Sequence, residues 1–139
     1  MANQTELQST VPPDFIRRRI LIVEDETASR TATCRYLQFR GHEVVGAATV
    51  DESFAKAESL QPEVLICDWK LSGKRDGTDV AQYLQSRYGV KVIFITAYAL
   101  ADLRRKIQGM SVIACLRKPI SLATLASVLD EVDSTVSLH

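Results

Sequence analysis

The sequence has no surplus of charge: 17 lysines and arginines face 17 aspartates and glutamates across 139 residues. A chain so balanced has no long-range field to gather nucleic acid or an acidic surface, so any electrostatic function is local. Cysteine is scarce as well. Cys34, Cys67 and Cys115 form no C-x-x-C pair and lie in apolar or mixed segments, which argues against a disulfide framework and reads as reduced, small hydrophobes. No apolar run approaches the roughly 20 residues of a membrane span, and MANQTELQSTVPPDF lacks the apolar core of a signal peptide. The expectation is a soluble cytoplasmic protein without membrane association. No internal repeat is visible, and a chain of this length buries roughly two thirds of its unfolded surface as one domain.

What is present is an alternation. Residues 1–16 are polar, carry Pro12-Pro13 and show no periodicity, which predicts a flexible arm. A domain over 17–133 and a tail over 134–139 follow. Within the domain, apolar runs of strand length at 20–23, 43–47, 63–67, 90–95 and 112–116 alternate with amphipathic stretches of helix length. Near-continuous apolar strands joined by helices predict a parallel sheet covered on both faces, a doubly wound three-layer α/β sandwich. Boundary signals agree. The first helix covers about 26–40 before Gly41. Thr49 and Glu52 suit a capping box at the second, Gly77-Thr78 opens the third, and Gly109 closes the fourth. Ser121 caps the last, whose Leu122, Leu125, Val128 and Leu129 form one apolar stripe.

The stretch LICDWKLSG, residues 65–73, runs apolar and then stops on a carboxylate. Such an end is costly without a cation, hydrogen bonds or water. In open parallel sheets the ligand crevice lies beyond the carboxyl ends of the strands. Those ends deliver Glu24-Asp25-Glu26, Asp68, Thr96-Ala97 and Lys118-Pro119. Two carboxylates about 4 Å apart repel by roughly 4 kcal/mol at an effective dielectric of 20, so Glu24, Asp25 and Asp68 favour a cation. An all-oxygen set without histidine or cysteine suits a hard ion, with magnesium the physiological choice. Lys118, Thr96 and the backbone N–H after it, that of Ala97, supply positive charge and donors for a phosphoryl group, with Asp68 as its nucleophile.

These residues and the motifs LIVEDE, LICDWKLSGKRDG, FITA and LRKP make residues 18–133 resemble a bacterial response-regulator receiver domain of two-component signalling. The resemblance implies a flavodoxin-like receiver fold with strand order 2-1-3-4-5 and a phosphorelay switch, not an enzyme. It implies that Asp68 accepts phosphate from a histidine kinase or phosphotransfer protein. Asp25 and Asp68 would bind Mg2+ directly, Glu24 would act through water, and the Lys70 carbonyl would complete the ligands. Thr96 would move toward the phosphoryl group, Lys118 would pair with it, and Lys118-Pro119 would be cis.

Three departures from the family pattern stand out. Ser72 occupies a position that often holds proline, and Cys115 one that usually holds tyrosine or phenylalanine, shifting aromatic coupling toward a neighbour such as Tyr98. Lys70 and Tyr98 hold the positions that flank the attacking water in similar proteins, which predicts slow dephosphorylation. The output surface is expected on the fourth helix, fifth strand and fifth helix. There the basic Arg104, Arg105 and Lys106 would lie beside acidic Asp130, Glu131 and Asp133, a mixture suited to a downstream protein partner or a homodimer. Two other readings compete. A dehalogenase-like aspartyl phosphatase would also use a strand-end aspartate, but Lys70 replaces the second acid of its D-x-D motif. A flavodoxin-like cofactor binder would need a phosphate-cradling loop, where EDETAS is acidic.

Overall fold

The computed structural model describes residues 15–132, so most of the arm, residues 1–14, and the tail lie outside the described residues. Five strands, β1 (Arg19–Val23), β2 (Glu43–Ala47), β3 (Val64–Asp68), β4 (Lys91–Thr96) and β5 (Ala114–Arg117), alternate with five helices. These are α1 (Thr27–Phe39), α2 (Val50–Leu60), α3 (Gly77–Tyr88), α4 (Leu100–Lys106) and α5 (Leu122–Asp130). All strand pairings are parallel, in the order β2-β1-β3-β4-β5.

Side chains on successive strand residues point to opposite faces, and two cores follow. Leu21, Val23, Leu65, Cys67, Val92 and Phe94 pack against α2, α3 and α4. Ile20, Ile22, Val64, Ile66 and Ile93 pack with Leu37 of α1 and Leu125 and Leu129 of α5. The central strands are apolar throughout because both of their faces are covered.

Local chemistry sets the helix ends. Thr49 accepts the Glu52 N–H at 3.0 Å as expected, while the Glu52 carboxylate reaches back to the Ala48 N–H at 2.7 Å instead of that of Thr49. The start of α3 is set by Asp76, which forms a full capping box with Asp79. Helix α4 ends at Lys106, earlier than Gly109 suggested, because Ile107 turns into the core and the chain leaves through a turn with Gly109 at φ +85°. Strand β5 starts two residues later than its apolar run, since Val112 and Ile113 precede the ladder that begins at Ala114. The last helix buries Leu125 and Leu129 behind a Ser121 cap, with Leu122 and Val128 half-buried. All three cysteines are free, and burial raises their thiol pKa values.

Candidate functional site

Strand parity delivers the carboxylates to one place. Ile20 and Ile22 of β1 and Val64 and Ile66 of β3 face the α1/α5 core, and Glu24 and Asp68 continue those two rows at the strand ends. Both are buried, at 7% and 9% exposure. Asp68 is the final residue of β3, paired in register with Ile95, so its backbone is fixed by the ladder. Lys118 arrives from the end of β5 across a cis bond to Pro119, and its N–H donates to the Thr96 carbonyl at 2.8 Å.

The Lys118 ammonium donates to Glu24 Oε1 and to Asp68 Oδ2, both at 2.8 Å. Glu24 Oε2 accepts the Glu26 N–H at 3.1 Å, and Arg30 anchors the Glu24 carbonyl at 2.8 Å. Asp25 is exposed, and Ser72 donates its hydroxyl to Asp25 Oδ2 at 3.0 Å. Ser72 thus ties the β3–α3 loop to the β1–α1 loop where a proline would have no donor. One carboxylate oxygen each from Glu24, Asp25 and Asp68 falls within 4.8 Å of the others.

Burial pushes the Asp68 carboxyl pKa up, and the Glu24 and Asp25 charges add to that, against the hydrogen bond and charge of Lys118. Burial also opposes the Lys118 ammonium, but its bonds to Asp68 and Glu24 outweigh it and raise the lysine pKa. One ammonium therefore serves three carboxylates and leaves the cluster net negative. An all-oxygen donor set of this charge fits a hard divalent cation.

Thr96 is fully buried, and its Oγ1 accepts the Tyr98 N–H at 3.1 Å, while Ala97 is exposed. At the rim, the Lys70 ammonium lies 4.2 Å from the centroid of the Trp69 ring and 5.8 Å from that of Tyr98, with the two rings edge-on at 6.0 Å. Trp69 is buried at 6% exposure, and its indole N–H has no hydrogen-bond partner among the described residues. Sequence reasoning missed Trp69 because tryptophan after an apolar strand reads as core. It also missed Gly77, whose N–H donates to the Trp69 carbonyl at 2.6 Å and whose missing Cβ would sit 2.0 Å from the Asp68 carbonyl. Beside the carboxylates runs a cleft of about 550 Å³ between α1 and α5, floored by Ile22, Ile66, Ile95 and Leu125.

Other expected residues are not brought to this cluster. Cys115 is half-buried on β5, packed against the core that contains Trp69, Phe94 and Leu103. Arg104, Arg105 and Lys106 are exposed in the last turn of α4. Of the acids expected beside them, Asp130 pairs with Arg40, the residue after α1, at 3.4 Å, Glu131 is exposed at the end of α5, and Asp133 lies outside the described residues.

Comparison with known proteins agrees with this geometry. The family model described as the response regulator receiver domain matches residues 20–130. The transcriptional regulatory protein PdtaR of Mycobacterium tuberculosis is 32% identical over 91% of this chain, which spans 59% of PdtaR. The crystal structure of a CheY-like receiver domain protein from Methanospirillum hungatei superposes with a TM-score of 0.76 at 32% identity, over 84% of this chain and 93% of that one. TrrA of Thermotoga maritima, solved in complex with Mg2+-BeF, gives a TM-score of 0.71 at 25% identity over 82% of this chain and 97% of its own. With the family model covering most of the chain, and with fold, strand order and relatives in agreement, this protein belongs to the response regulator receiver domain family.

Proposed function

We propose that Asp68 is the phosphoacceptor of this receiver and that the chain works as a phosphorylation-controlled interaction module. The observation that carries this reading is the Lys118 ammonium bridging Glu24 and Asp68 at the strand ends, with Asp25 alongside. Asp25 and Asp68 would hold Mg2+ directly, with Glu24 acting through water and the Lys70 carbonyl as a further ligand. The ion would neutralise charge on the transferred phosphoryl group. An Asp68 carboxylate oxygen attacks phosphorus as the bond to the phosphodonor breaks, a histidine nitrogen where a histidine kinase or phosphotransfer protein donates. Lys118 then pairs with a phosphoryl oxygen, and Thr96 turns its hydroxyl toward another, drawing on Tyr98 through the hydrogen bond between them. The output face is α4, β5 and α5, read by a downstream protein. Among the described residues no helix is long and apolar enough to cross a membrane, and we place the protein in the cytoplasm. The phosphatase reading has no support in the family match.

The test is incubation with acetyl phosphate and magnesium. Stable mass addition at Asp68, with negligible turnover of unrelated esters, is the expected result; no addition, or rapid ester turnover, would overturn the reading. The metal assignment has its own check. Magnesium should raise the melting temperature by relieving carboxylate repulsion, and calorimetry should find clearly weaker binding in both Asp25→Asn and Asp68→Asn. Unchanged affinity in both variants would remove the metal site.

The phosphorylated state should be long-lived. Hydrolysis needs a water in line with the bond between Asp68 and phosphorus. The Lys70 ammonium lies over the Trp69 ring and near that of Tyr98 at the exposed rim, and neither lysine nor tyrosine is a good general base at neutral pH. Lys70→Asn combined with Tyr98→Ala should shorten the half-life several-fold at saturating magnesium. A half-life that stays the same or lengthens would rule out shielding.

A further inference from the structure

We infer that the α4–β5 face takes an acidic segment of a partner protein and not a second copy of this chain. The inference rests on the output-face reading above and supplies the chemistry of its partner.

The charges on this face are one-sided. Helix α4 carries one acid, Asp102, and Arg105 engages it one turn later. Arg104 and Lys106 are exposed and have no carboxylate partner among the described residues. Arg117 ends β5, exposed, with its Nε on the Ala97 carbonyl at 3.2 Å. Helix α4 packs along β5, which brings this run of cations to the edge of the sheet. Helix α5 contributes no charge from Ser121 to Leu129. Its first acid, Asp130, is held by Arg40 on the side of α1. Of the acids expected in a mixed patch, Asp130 is engaged in this way and Glu131 is exposed at the end of α5.

A two-fold dimer sets one patch against itself. Here that would bring Arg104, Lys106 and Arg117 of one copy toward those of the other, with Asp102, the acid that α4 supplies, already engaged by Arg105, and such like-charge juxtaposition is unfavourable. Duplex DNA fits less well than a peptide, because strong binding needs many neutralised phosphates and this face offers three cations on a chain of zero net charge. An acidic peptide with interspersed apolar residues matches both features present: the cations, and half-buried Cys115, which lies on the α4 side of the edge strand β5.

The experiment uses isotope-labelled full-length protein with magnesium and beryllium fluoride as phosphoryl mimic, titrated with poly-L-glutamate and, separately, with a short DNA duplex. Amide shifts should concentrate on residues 104–117. The apparent affinity should fall roughly tenfold in Arg104→Glu/Lys106→Glu, since each reversal removes one exposed attraction and adds a repulsion. The milder Arg104→Gln/Lys106→Gln variant guards against misfolding and should show an intermediate loss. Sedimentation of the activated protein should show a monomer. If activation alone leaves residues 96–118 unshifted, the output-face reading fails. If they shift but poly-L-glutamate does not bind there, if DNA binds more tightly, or if the activated protein dimerises through this face, the acidic-partner inference is overturned.

Discussion

Replacing Lys118 with alanine should cost about 2 kcal/mol of stability in metal-free buffer, and magnesium should restore much of that loss. Removing one partner of a fully buried ion pair costs about 3–5 kcal/mol, because the remaining charge stays uncompensated. Lys118 leaves two such charges, Glu24 and Asp68, both with side chains about nine-tenths buried. Two features reduce the cost. The lysine side chain is 29% exposed, so water can enter behind it, and Glu24 keeps the Glu26 N–H on its other oxygen. Magnesium should also bind more tightly to the variant, since the competing ammonium is gone. Urea unfolding with and without magnesium measures both effects. A midpoint unchanged in metal-free buffer would mean that the bridge contributes nothing. The variant should still accept phosphate on Asp68, but amide shifts across residues 96–118 should shrink, because the phosphoryl group would have lost its tie to β5.

Gly77→Ala should be more damaging, at about 3 kcal/mol, the upper end of ordinary overpacking. The added methyl would lie 2.0 Å from the Asp68 carbonyl oxygen and 2.9 Å from Cys67 Sγ. Neither can yield easily: one belongs to a backbone in a central ladder, and the other is a fully buried side chain. Relief has to come from moving the start of α3 or the end of β3, and the end of β3 carries Asp68, the proposed phosphoacceptor. Phosphorylation by acetyl phosphate should therefore slow along with the loss of stability. Gly89→Ala is the control, since a Cβ there meets nothing within 4 Å and only the left-handed φ of +68° is penalised, at about 1–2 kcal/mol. Equal losses in the two variants, by urea midpoint, would show that close packing at Gly77 is not what matters.

Much of this architecture was legible in the sequence, for a physical reason. A parallel sheet covered on both faces needs uninterrupted apolar strands, so β1, β3 and β4 announced themselves, and the polar residue ending each run marked the crevice. The carboxylates, Thr96 and Lys118 followed from that rule alone. What stayed hidden depends on contacts between distant residues or on the absence of a side chain. The bond from Ser72 to Asp25 joins two loops 47 residues apart, and Arg40 meets Asp130 over a separation of 90. Nothing local in DEVD could announce that its first aspartate faces α1. The Asp76–Asp79 capping box was legible but overlooked, since the helix start expected at Gly77-Thr78 already puts Asp76 at the N-cap. Gly77 read only as the opening of a helix, although close approach to the Asp68 carbonyl is what demands glycine there. Strand β5 was placed two residues early because its apolar run extends ahead of the ladder, with Val112 and Ile113 packed on the cores before the pairing begins at Ala114.

That gradation across the sheet also bears on motion. Strand β3 is buried along its whole length, while every residue of β5 is partly or fully exposed. Regions with few buried apolar contacts open first, at free energies well below that of global unfolding. Amide protons of β5 should therefore exchange with solvent much sooner than those of β3, and α4, only seven residues long, should exchange early with them. The proposed phosphoacceptor is mounted on the most buried strand and the proposed reading surface on the most exposed, so a small charge event at one end of the sheet would act on the segment whose rearrangement costs least.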